Sequence, residues 1–516
     1  MAEGTDRRLR EPPGGAGSSE AVADDTDDFV LCSDGTSLRL GEEGVVIRSH
    51  VKKDKDIYRC CSFIPLAIPR SKPAFSDRTI KFRDVLWVES STNAINFTFV
   101  EEVNKRKIRP VVQSFPVSEN EAKHAQAFAQ RVQLRAYGQA QQKKRIKVII
   151  NPFGGKGKAS KNWKNDIEPI FTAARCEVEV VNTTHSAHAE QIAEELDIDT
   201  VDVVACCSGD GVPYEVWNGL GRKKNARAAL AKVAVVQLPC GTGNALSVNC
   251  NGTSSPSRAA LSVVKGIPTR IDLASVTQGE KRTLSFLSLA LGIVAECDLD
   301  TEHMRWLGDA RLTVGFFQRL FRKKVWPCDI AVGVEIADKN DIQRDYRQSF
   351  EHPSTYALPA AEVRDLEEDP FAEEGLPPLR YGTVNSELPS NWTMTPFPNL
   401  GNFYSGNMPY MAADANFFTF ARINEGLLDL VNVRGDIPVH RSVALLLAVG
   451  EGKLWQHQDV TYRKVSGFRV IPKQKEGVIS VDGEKYPFKP FQVEVHKGLG
   501  CTLTPGGRYV RPDEMV

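Results

Sequence analysis

Three strands of this chain each lead directly into a glycine-rich loop, and this repeated pattern restricts the fold more than any other feature. The stretches are RIKVIINPFGGKGKA at 145–159, VVACCSGDGVPYEVWNGL at 203–220 and VAVVQLPCGTGNAL at 233–246. Apolar strands that alternate with helical patterns predict a doubly wound α/β domain over 144–270. Because the carboxyl ends of parallel strands meet at one edge of a sheet, we expect the three loops to form one nucleotide site.

The second loop, SGDG, places one carboxylate between two glycines at the start of a helix. Glycines let the backbone approach a phosphate closely, and the first amides of a helix donate to it. A carboxylate is a poor phosphate ligand, so Asp210 needs another role: it accepts a proton from a nucleophile or holds a divalent cation. An ordinary Asp-Gly turn is the alternative for this loop alone, and the two other loops favour the functional interpretation.

Neither common nucleotide motif fits these loops. No stretch supplies GxxxxGK followed by Ser or Thr, and the Rossmann pattern needs a third glycine where Ser160 stands. The segments NPFGGKGKA, SGDGVPYEVWNGL and LPCGTGNAL instead resemble, in this order, the motifs of the lipid kinase superfamily of diacylglycerol, ceramide and sphingosine kinases. Within it the sequence is most similar to the sphingosine (long-chain-base) kinases, from roughly Lys144 to the carboxyl terminus.

The resemblance implies a kinase that uses ATP and Mg²⁺, with the nucleotide in a cleft beside a second, lipid-binding domain. Asp210 matches the family's catalytic carboxylate, which would take the proton of the acceptor hydroxyl. Tyr214 departs from the family, which has His before the glutamate that Glu215 matches. The expected nucleotide contacts are Asn151, Gly154, Gly155, Lys156, Gly157, Ser208, Gly209, Gly211, Glu215, Gly241, Thr242, Gly243, Asn244, Arg305, Arg311, Asp482, Gly483 and Glu484.

Several of these positions have a structural alternative. Lys156 or Lys158 would add a cation to the first loop, or either is a solvated surface charge. Arg305 and Arg311 match phosphate-binding arginines of the family, or they are exposed helix residues paired with nearby carboxylates. The assignment of VDGE at 481–484 to nucleotide or magnesium binding depends almost entirely on the resemblance.

Beyond residue 270 the pattern changes to many strands with few helices, which predicts an all-β lipid-binding domain, an antiparallel sheet or β-sandwich, over 271–510. Segments such as RIDLASV, FFTFARI and LLDLVNV are predicted strands. One strongly helical segment covers 300–322. The polar, acidic and proline-rich interval at about 338–389 is predicted to be a disordered insertion.

The substrate is predicted from Asp298, because a sphingoid base has a free amine that ceramide and diacylglycerol lack. The apolar segment LSFLSLALGIVAE at 284–296 is a predicted strand that would line an alkyl chain, and Asp298 follows it. SLALGIVAECDLDTE also resembles the sphingosine kinase stretch SLAWGFIADVDLESE, whose second aspartate binds the amine and matches Asp298. An acidic turn after a core strand is the alternative. The expected lipid contacts are Leu289, Ile293, Val294, Leu312 and Phe316.

The segment TVGFFQRLFRKKVW at 313–326 mixes aromatic and basic residues. Such a helix would dip into an anionic membrane surface, or its aromatics would line the lipid pocket. We therefore expect a sphingoid-base kinase that acts on a lipid at a membrane surface. A ceramide or diacylglycerol kinase is the alternative, and an inactive lipid-binding adaptor is an alternative of another class.

The amino-terminal part has a different pattern. Residues 1–28 are polar and are predicted to be disordered. Short alternating runs over 29–138, followed by a helix from Glu119, predict a PH-like β domain that binds a membrane lipid or a protein, or only packs on the kinase. The adjacent Cys60 and Cys61 are either acylated or buried in a strand.

Composition excludes several functional classes. The 65 basic and 65 acidic residues balance, so no bulk attraction to nucleic acid or to anionic membranes is expected. The eleven cysteines show no zinc-binding spacing and are typical of a reducing compartment. The longest apolar run, 286–295, is far shorter than the about 20 residues that span a bilayer. These features predict a cytoplasmic protein peripherally associated with membranes.

Overall fold

A computed structural model describes residues 28–50, 75–155, 157–300, 315, 324–351 and 375–508. The chain forms two compact units. The first comprises Met1–Phe82, Val88–Asn96 and Ser114–Gln133, and the second comprises Arg83–Trp87, Phe97–Gln113 and Leu134–Val516. Residues 97–113 therefore belong to the same unit as the three glycine loops, although the sequence predicts a separate amino-terminal domain over 29–138.

The amino-terminal region consists of short strands that end in one helix, as the alternating pattern predicts. Four strands pair in chain order into an antiparallel sheet, and three more form a second sheet. The apolar side chains on one face of the helix, Ala125, Phe128, Ala129 and Val132, are buried. The elements are β1 (Phe29–Leu31), β2 (Ser37–Leu40), β3 (Gly44–His50), β4 (Phe75–Lys81), β5 (Val85–Ser90), β6 (Ala94–Asn104), β7 (Lys107–Pro116) and α1 (Ala122–Tyr137).

Residues 1–27 and both cysteines of the predicted acylation site, Cys60 and Cys61, lie outside the described residues.

The three glycine loops follow strands of a four-stranded parallel sheet with the order β11-β10-β8-β9. All six residues of both β10 and β11 are buried, which explains their uninterrupted apolar sequences. The elements are β8 (Arg145–Ile150), α2 (Ala159–Asn162), α3 (Glu168–Ala173), β9 (Glu177–Asn182), α4 (His188–Glu195), β10 (Val203–Ser208), α5 (Gly211–Arg222), α6 (Ala226–Lys232), β11 (Ala234–Pro239), α7 (Ala245–Asn251) and α8 (Pro256–Lys265). The predicted α/β domain with a parallel sheet is confirmed.

The carboxyl-terminal half forms a large antiparallel sheet of eleven strands, in which β13-β12-β24-β21-β20-β17-β14-β22-β23 are consecutive and β15 and β16 pair beside β21. The predicted antiparallel sheet is confirmed. The strands are β12 (Ile267–Gln278), β13 (Lys281–Ser285), β14 (Ser288–Gly292), β15 (Cys328–Ile336), β16 (Thr395–Phe397), β17 (Leu400–Gly406), β18 (Tyr410–Ala412), β19 (Ala415–Asn416), β20 (Leu428–Arg434), β21 (Val460–Pro472), β22 (Ile479–Val481), β23 (Glu484–Tyr486) and β24 (Phe491–Thr504). The helices are α9 (Ile293–Asp300), α10 (Lys339–Glu351) and α11 (Val439–Gly450).

Two predicted strands are wrong. The strand expected over 284–296 ends at Gly292, where φ is +108° and a Cβ would lie 2.5 Å from the Gly401 carbonyl oxygen, and α9 follows at once. The segment FFTFARI is irregular in the structure. The Phe418 ring packs against Tyr404, and the Phe420 ring packs against Tyr462. Apolar composition alone did not distinguish these arrangements from strands.

The predicted disordered insertion at 338–389 is wrong at both ends. Lys339–Glu351 is a helix with Ile342 fully buried. At the other end the backbone amides of Arg380 and Tyr381 donate to the Glu494 carboxylate at 2.9 and 2.8 Å. Residues 352–374, and the predicted helical segment at 300–322 apart from its first residue and Gly315, lie outside the described residues.

Across the described parts of the chain, the structure has no helix that is both long enough and apolar enough to cross a bilayer.

Candidate functional site

The three glycine loops meet at the carboxyl edge of the parallel sheet, as the sequence predicts. A Cβ on Gly241 would lie 2.2 Å from the Cα of Gly209, and a Cβ on Gly155 would lie 3.0 Å from the Cα of Gly241. Contacts this close leave no room for a side chain, so only glycine fits at these positions. The third loop therefore packs between the first and second loops, and the three form one continuous backbone surface.

The first loop turns sharply after β8. The Asn151 side-chain oxygen accepts a hydrogen bond from the Phe153 amide at 3.0 Å, which closes an Asx turn. Gly155 and Gly157 adopt φ values of +55° and +65°, in the left-handed region that glycine tolerates. Gly154 lies against the Asn151 side chain, and Lys156, the expected cation of this loop, lies outside the described residues.

The third loop is closed by Asn244, which adopts a left-handed conformation with φ of +54°. Its side chain accepts a hydrogen bond from the Gly241 amide at 2.9 Å and donates one to the Gly241 carbonyl at 3.0 Å. Asn244 thus shapes the loop from within, and Thr242 and Gly243 form its tip. Below the loops, the sulfur atoms of Cys207 and Cys240 lie 3.4 Å apart.

Asp210 joins the second loop to the third. Its two carboxylate oxygens accept hydrogen bonds from the amides of Ala245 and Leu246, both at 3.1 Å, at the start of α7. Burial raises the pKa of Asp210, while these amides oppose the rise because they stabilise the charged form. A half-buried carboxylate with a raised pKa beside three glycine loops has the environment of a general base.

Glu215 has a different position from the one expected. Its carboxylate accepts hydrogen bonds from the amides of Ala187 and Ala189, both at 3.1 Å, at the start of α4. Burial raises its pKa. These hydrogen bonds tie α5 to the loop after β9, and the nucleotide contact of Glu215 stays a prediction. Tyr214, the residue before it, shares a hydrogen bond of 2.7 Å with the Tyr486 hydroxyl.

The two acidic residues of the VDGE turn between β22 and β23, Asp482 and Glu484, make different contacts. Asp482 is 3% exposed and accepts hydrogen bonds from the Ser285 hydroxyl and from the amides at 286, 287 and 288, at 2.7 to 3.1 Å. Burial raises its pKa to about 6. Its carboxylate holds the segment before β14, which differs from the expected nucleotide or magnesium contact.

Glu484 does lie at the glycine loops. One of its carboxylate oxygens would be 3.3 Å from a Cβ on Gly211. Gly483 provides the sharp turn between the two carboxylates with φ of +85°. Of the two acidic residues of the turn, Glu484 is therefore the one positioned beside the second loop.

Asp298 lies on α9, whereas the sequence predicts it just beyond the end of a strand. Its carboxylate accepts a hydrogen bond from the Ser480 hydroxyl at 3.0 Å, and it lies 3.9 Å from the position of a Cβ on Gly483. The VDGE turn therefore contacts Asp298 on one side and, through Glu484, the glycine loop at Gly211 on the other. This arrangement brings the expected amine-binding carboxylate and the expected phosphate loop together.

An apolar cavity of about 120 Å³ lies beside α9. Ile293 and Val294 line it, as expected for lipid contacts, together with side chains of β20 and α11. The charged residues of its lining are Glu296, Lys324 and Arg434, and Glu296 forms an ion pair of 2.5 Å with Lys324. Leu289 packs in the core of the large sheet at 3% exposure. The expected site residues Arg305, Arg311, Leu312 and Phe316 lie outside the described residues.

No group of three or more His, Cys, Asp or Glu side chains with the geometry of a metal site occurs among the residues that the structure describes. Asp210 and Glu484, on either side of Gly211, are the carboxylates adjacent to the second loop. A cation at this site would therefore need further ligands from a bound phosphate.

The sequence analysis missed the loop after β9, at 183–187. It follows the fourth parallel strand, so it lies at the same edge as the glycine loops. The Thr184 hydroxyl contacts His185 Nδ1 at 2.9 Å, and the rings of His185 and His188 stack with centroids 4.7 Å apart. In the sequence this loop is the polar segment TTHSAH between a strand and a helix. Because the segment contains no glycine, it does not resemble a phosphate loop.

Comparison with known proteins places the catalytic motifs in a family. The diacylglycerol kinase catalytic domain matches residues 145–276, and a domain of unknown function matches residues 30–138. Sphingoid long chain base kinase 5 of Saccharomyces cerevisiae is 35% identical over 459 residues, which cover 80% of this chain and 66% of that protein. Sphingoid long chain base kinase 4 of Schizosaccharomyces pombe is 33% identical over 432 residues, which cover 83% of this chain and 88% of that protein.

The solved structure of a diacylglycerol kinase from Bacillus anthracis is also similar, with a TM-score of 0.46 and 15% identity over 70% of this chain and 97% of its own.

Proposed function

Because the chain belongs to the sphingoid long-chain-base kinase family, we infer that it transfers the γ-phosphoryl group of ATP to the primary hydroxyl of a sphingoid base. The observation that carries this inference is the VDGE turn, which adjoins Asp298 through Gly483 and the second glycine loop through Glu484. A lipid ammonium bound at Asp298 would place its hydroxyl, two carbons away, next to the phosphate loops.

The nucleotide phosphates would lie on the surface formed by the three glycine loops. The backbone there is accessible because Gly209, Gly211 and Gly241 carry no side chain, and the start of α5 provides amide donors. Mg²⁺ bound with the phosphates would neutralise their charge during transfer, and Glu484, beside Gly211, is the carboxylate that would contribute an oxygen ligand.

In the transfer step, Asp210 accepts the proton of the lipid hydroxyl while that oxygen forms a bond to the γ-phosphorus. The bond from the γ-phosphorus to the bridging oxygen breaks, and ADP leaves with the electron pair. Asp298 binds the ammonium group, and the cavity lined by Ile293 and Val294 holds the alkyl chain. The protein contributes mainly position and charge stabilisation, as is general for phosphoryl transfer.

A panel of acceptors tests the proposal. Purified protein is incubated with labelled ATP and with sphingoid bases, ceramides and diacylglycerols, and the lipid products are identified. We expect label in sphingoid-base 1-phosphates. Label in ceramide or diacylglycerol products would identify a neighbouring branch, and no label in any lipid would support the inactive adaptor.

Gly211→Asp is expected to abolish ATP binding. The new carboxylate would occupy the phosphate space and would lie beside Glu484, whose oxygen is 3.3 Å from the Cβ position. Titration calorimetry with MgATP measures the loss. Gly211→Ala, which adds a methyl group without charge inside a helix, is the matched control and should retain weakened binding. Normal ATP affinity in Gly211→Asp would place the phosphates elsewhere.

We propose that the amino-terminal strands form a PH-like domain, and residues 106–108 of it contact the start of α8 and Asp166. The Ser257 hydroxyl accepts a hydrogen bond from the Ile108 amide at 3.1 Å, and the Ser255 hydroxyl donates to the Arg106 carbonyl at 2.5 Å. Lys107 forms an ion pair of 2.5 Å with Asp166. These contacts favour a packing role for residues 97–113 over a purely membrane-targeting one.

Deletion of residues 1–142 is therefore expected to destabilise the remaining chain, because it uncovers the surface at Ser255 and Ser257. Solubility and the unfolding midpoint Tm measure the effect, and sedimentation with vesicles measures membrane attachment. The Ser255→Ala/Ser257→Ala variant of the full chain removes these hydrogen bonds together with the N-cap hydrogen bond from the Arg258 amide to the Ser255 hydroxyl, and it should lower Tm modestly. A soluble, fully active deletion variant that fails to sediment with vesicles would instead support a separable targeting domain.

A further inference from the structure

Two tyrosine hydroxyls connect the helix of the second glycine loop to the β22–β23 hairpin. Tyr214 lies in the first turn of α5, and Tyr486 is the last residue of β23. Their hydroxyl oxygens are 2.7 Å apart and share one hydrogen bond. Burial raises the pKa of both, so both remain neutral near pH 7.

The Tyr214 ring has a second role in packing. It contacts the hydrophobic cluster of the α/β region, which includes Val212 and Trp217, and also the cluster of the large sheet, which includes Leu289 and Tyr486. The packing of the ring and the hydrogen bond of the hydroxyl are separable, because phenylalanine preserves the first and removes the second. The pair therefore offers a clean test of the hydrogen bond alone.

The hairpin carries contacts to both halves of the site. In β22 the Ser480 hydroxyl donates to Asp298 at 3.0 Å, and at the start of β23 Glu484 lies beside Gly211. Alternate residues of a strand project from the same face, so Glu484 and Tyr486 lie on one side of β23. A shift of this hairpin relative to α5 would change the distance between Asp298 and the second glycine loop.

We propose that the Tyr214–Tyr486 hydrogen bond is a positioning device that fixes the hairpin, and with it Asp298, at the spacing from the glycine loops that aligns the acceptor hydroxyl with the γ-phosphate. This inference rests on the proposed kinase activity. Neither tyrosine touches the reacting atoms. The bond acts through Asp298 and Glu484. Because the rate of phosphoryl transfer depends steeply on the alignment of the reacting atoms, a small shift of the hairpin would lower that rate.

The test measures how tightly ATP consumption is coupled to lipid phosphorylation. In Tyr214→Phe and Tyr486→Phe the acceptor is less well aligned, and water competes for the γ-phosphate. We expect kcat for the sphingoid base to fall about tenfold, the effect of losing one well-placed buried hydrogen bond. The ratio of ATP hydrolysed to lipid phosphorylated should rise, with the Kd of ATP within about twofold of the wild-type value. The double variant should be no worse than either single variant, because both remove the same bond.

Tyr137→Phe is the matched control. The Tyr137 hydroxyl is buried and donates to the Leu86 carbonyl at 2.8 Å, so the same chemical change removes a comparable hydrogen bond that is not part of the site. It should lower Tm by a similar amount and leave the coupling ratio unchanged.

The inference would be overturned if Tyr214→Phe and Tyr486→Phe kept the wild-type kcat and coupling ratio and lost only as much Tm as Tyr137→Phe. The bond would then have a structural role alone. This outcome is distinct from failure of the proposed function, in which the wild-type chain itself phosphorylates no sphingoid base and the inference falls with it.

Discussion

Asp210→Asn is expected to lower the phosphorylation rate about 100- to 10,000-fold, the contribution of a positioned general base, while the chain stays folded and binds ATP. Asparagine cannot take the proton of the acceptor hydroxyl. Its side-chain oxygen can still accept a hydrogen bond from Ala245 or Leu246, although its NH₂ group would face the other amide. Single-turnover kinetics, ATP calorimetry and thermal unfolding separate these effects.

The pH dependence provides a second measure of the same role. Asp210 must be deprotonated to accept a proton, so the rate should fall as the pH falls through its pKa. Burial raises this pKa, and the acidic limb of the pH–rate profile should therefore lie above the usual range of a carboxyl group. This limb should be absent from the residual activity of Asp210→Asn.

Asp272→Asn is a matched control for the structural part of the effect. Asp272 is fully buried, and its carboxylate accepts hydrogen bonds from the amides of Gly426 at 2.5 Å and Gly498 at 2.7 Å, the same type of contact that Asp210 makes. Its replacement should lower Tm with little loss of rate per folded molecule. An Asp210→Asn variant with normal turnover, or with a rate loss no larger than that of Asp272→Asn, would refute the assignment of the base.

Asp298→Asn is expected to reduce kcat/KM for sphingoid bases by about two to three orders of magnitude. Removal of one partner of a largely buried ion pair costs about 3–5 kcal/mol, and here the lost partner is the carboxylate that binds the lipid ammonium. The asparagine oxygen can still accept the hydrogen bond from Ser480, so the local structure should be retained. The Kd of ATP should be nearly unchanged.

Two comparisons make this prediction specific. Ser480→Ala removes only the group that orients Asp298 and should have a smaller effect on kcat/KM. An N-acylated acceptor, which has no positive charge, should be used equally poorly by the wild type and by Asp298→Asn. The substrate assignment would be wrong if Asp298→Asn phosphorylated sphingoid bases with the kcat/KM of the wild type, or if the wild type preferred ceramide.

Local patterns in the sequence were sufficient to predict the three glycine loops of the candidate site. The second and third glycine loops follow β10 and β11, whose apolar sequences reflect burial on both faces, and the close approach of Gly241 to Gly209 explains why only glycine fits at position 241. The helix after the first loop and the buried stripe of α1 were also predictable, because helical periodicity is a local property.

The break at Gly292 was not predictable in the same way. The sequence there remains apolar, whereas in the structure Gly292 adopts φ of +108° against the backbone of Gly401, a contact that only the fold creates, and α9 begins at the next residue.

The sequence by itself determined the parallel sheet, its three glycine loops and the presence of a carboxylate at each expected position. Only the tertiary structure decided what each carboxylate does, because the hydrogen-bond donors come from distant parts of the chain. Asp482 is bound by donors about 195 residues away and Glu215 by amides 26 and 28 residues away, so both serve the fold. Glu484 lies instead beside the second glycine loop, and Asp298 lies beside the VDGE turn, since the large sheet brings these segments together. Residue type is local, whereas the partner that satisfies a buried polar group is a property of the whole fold.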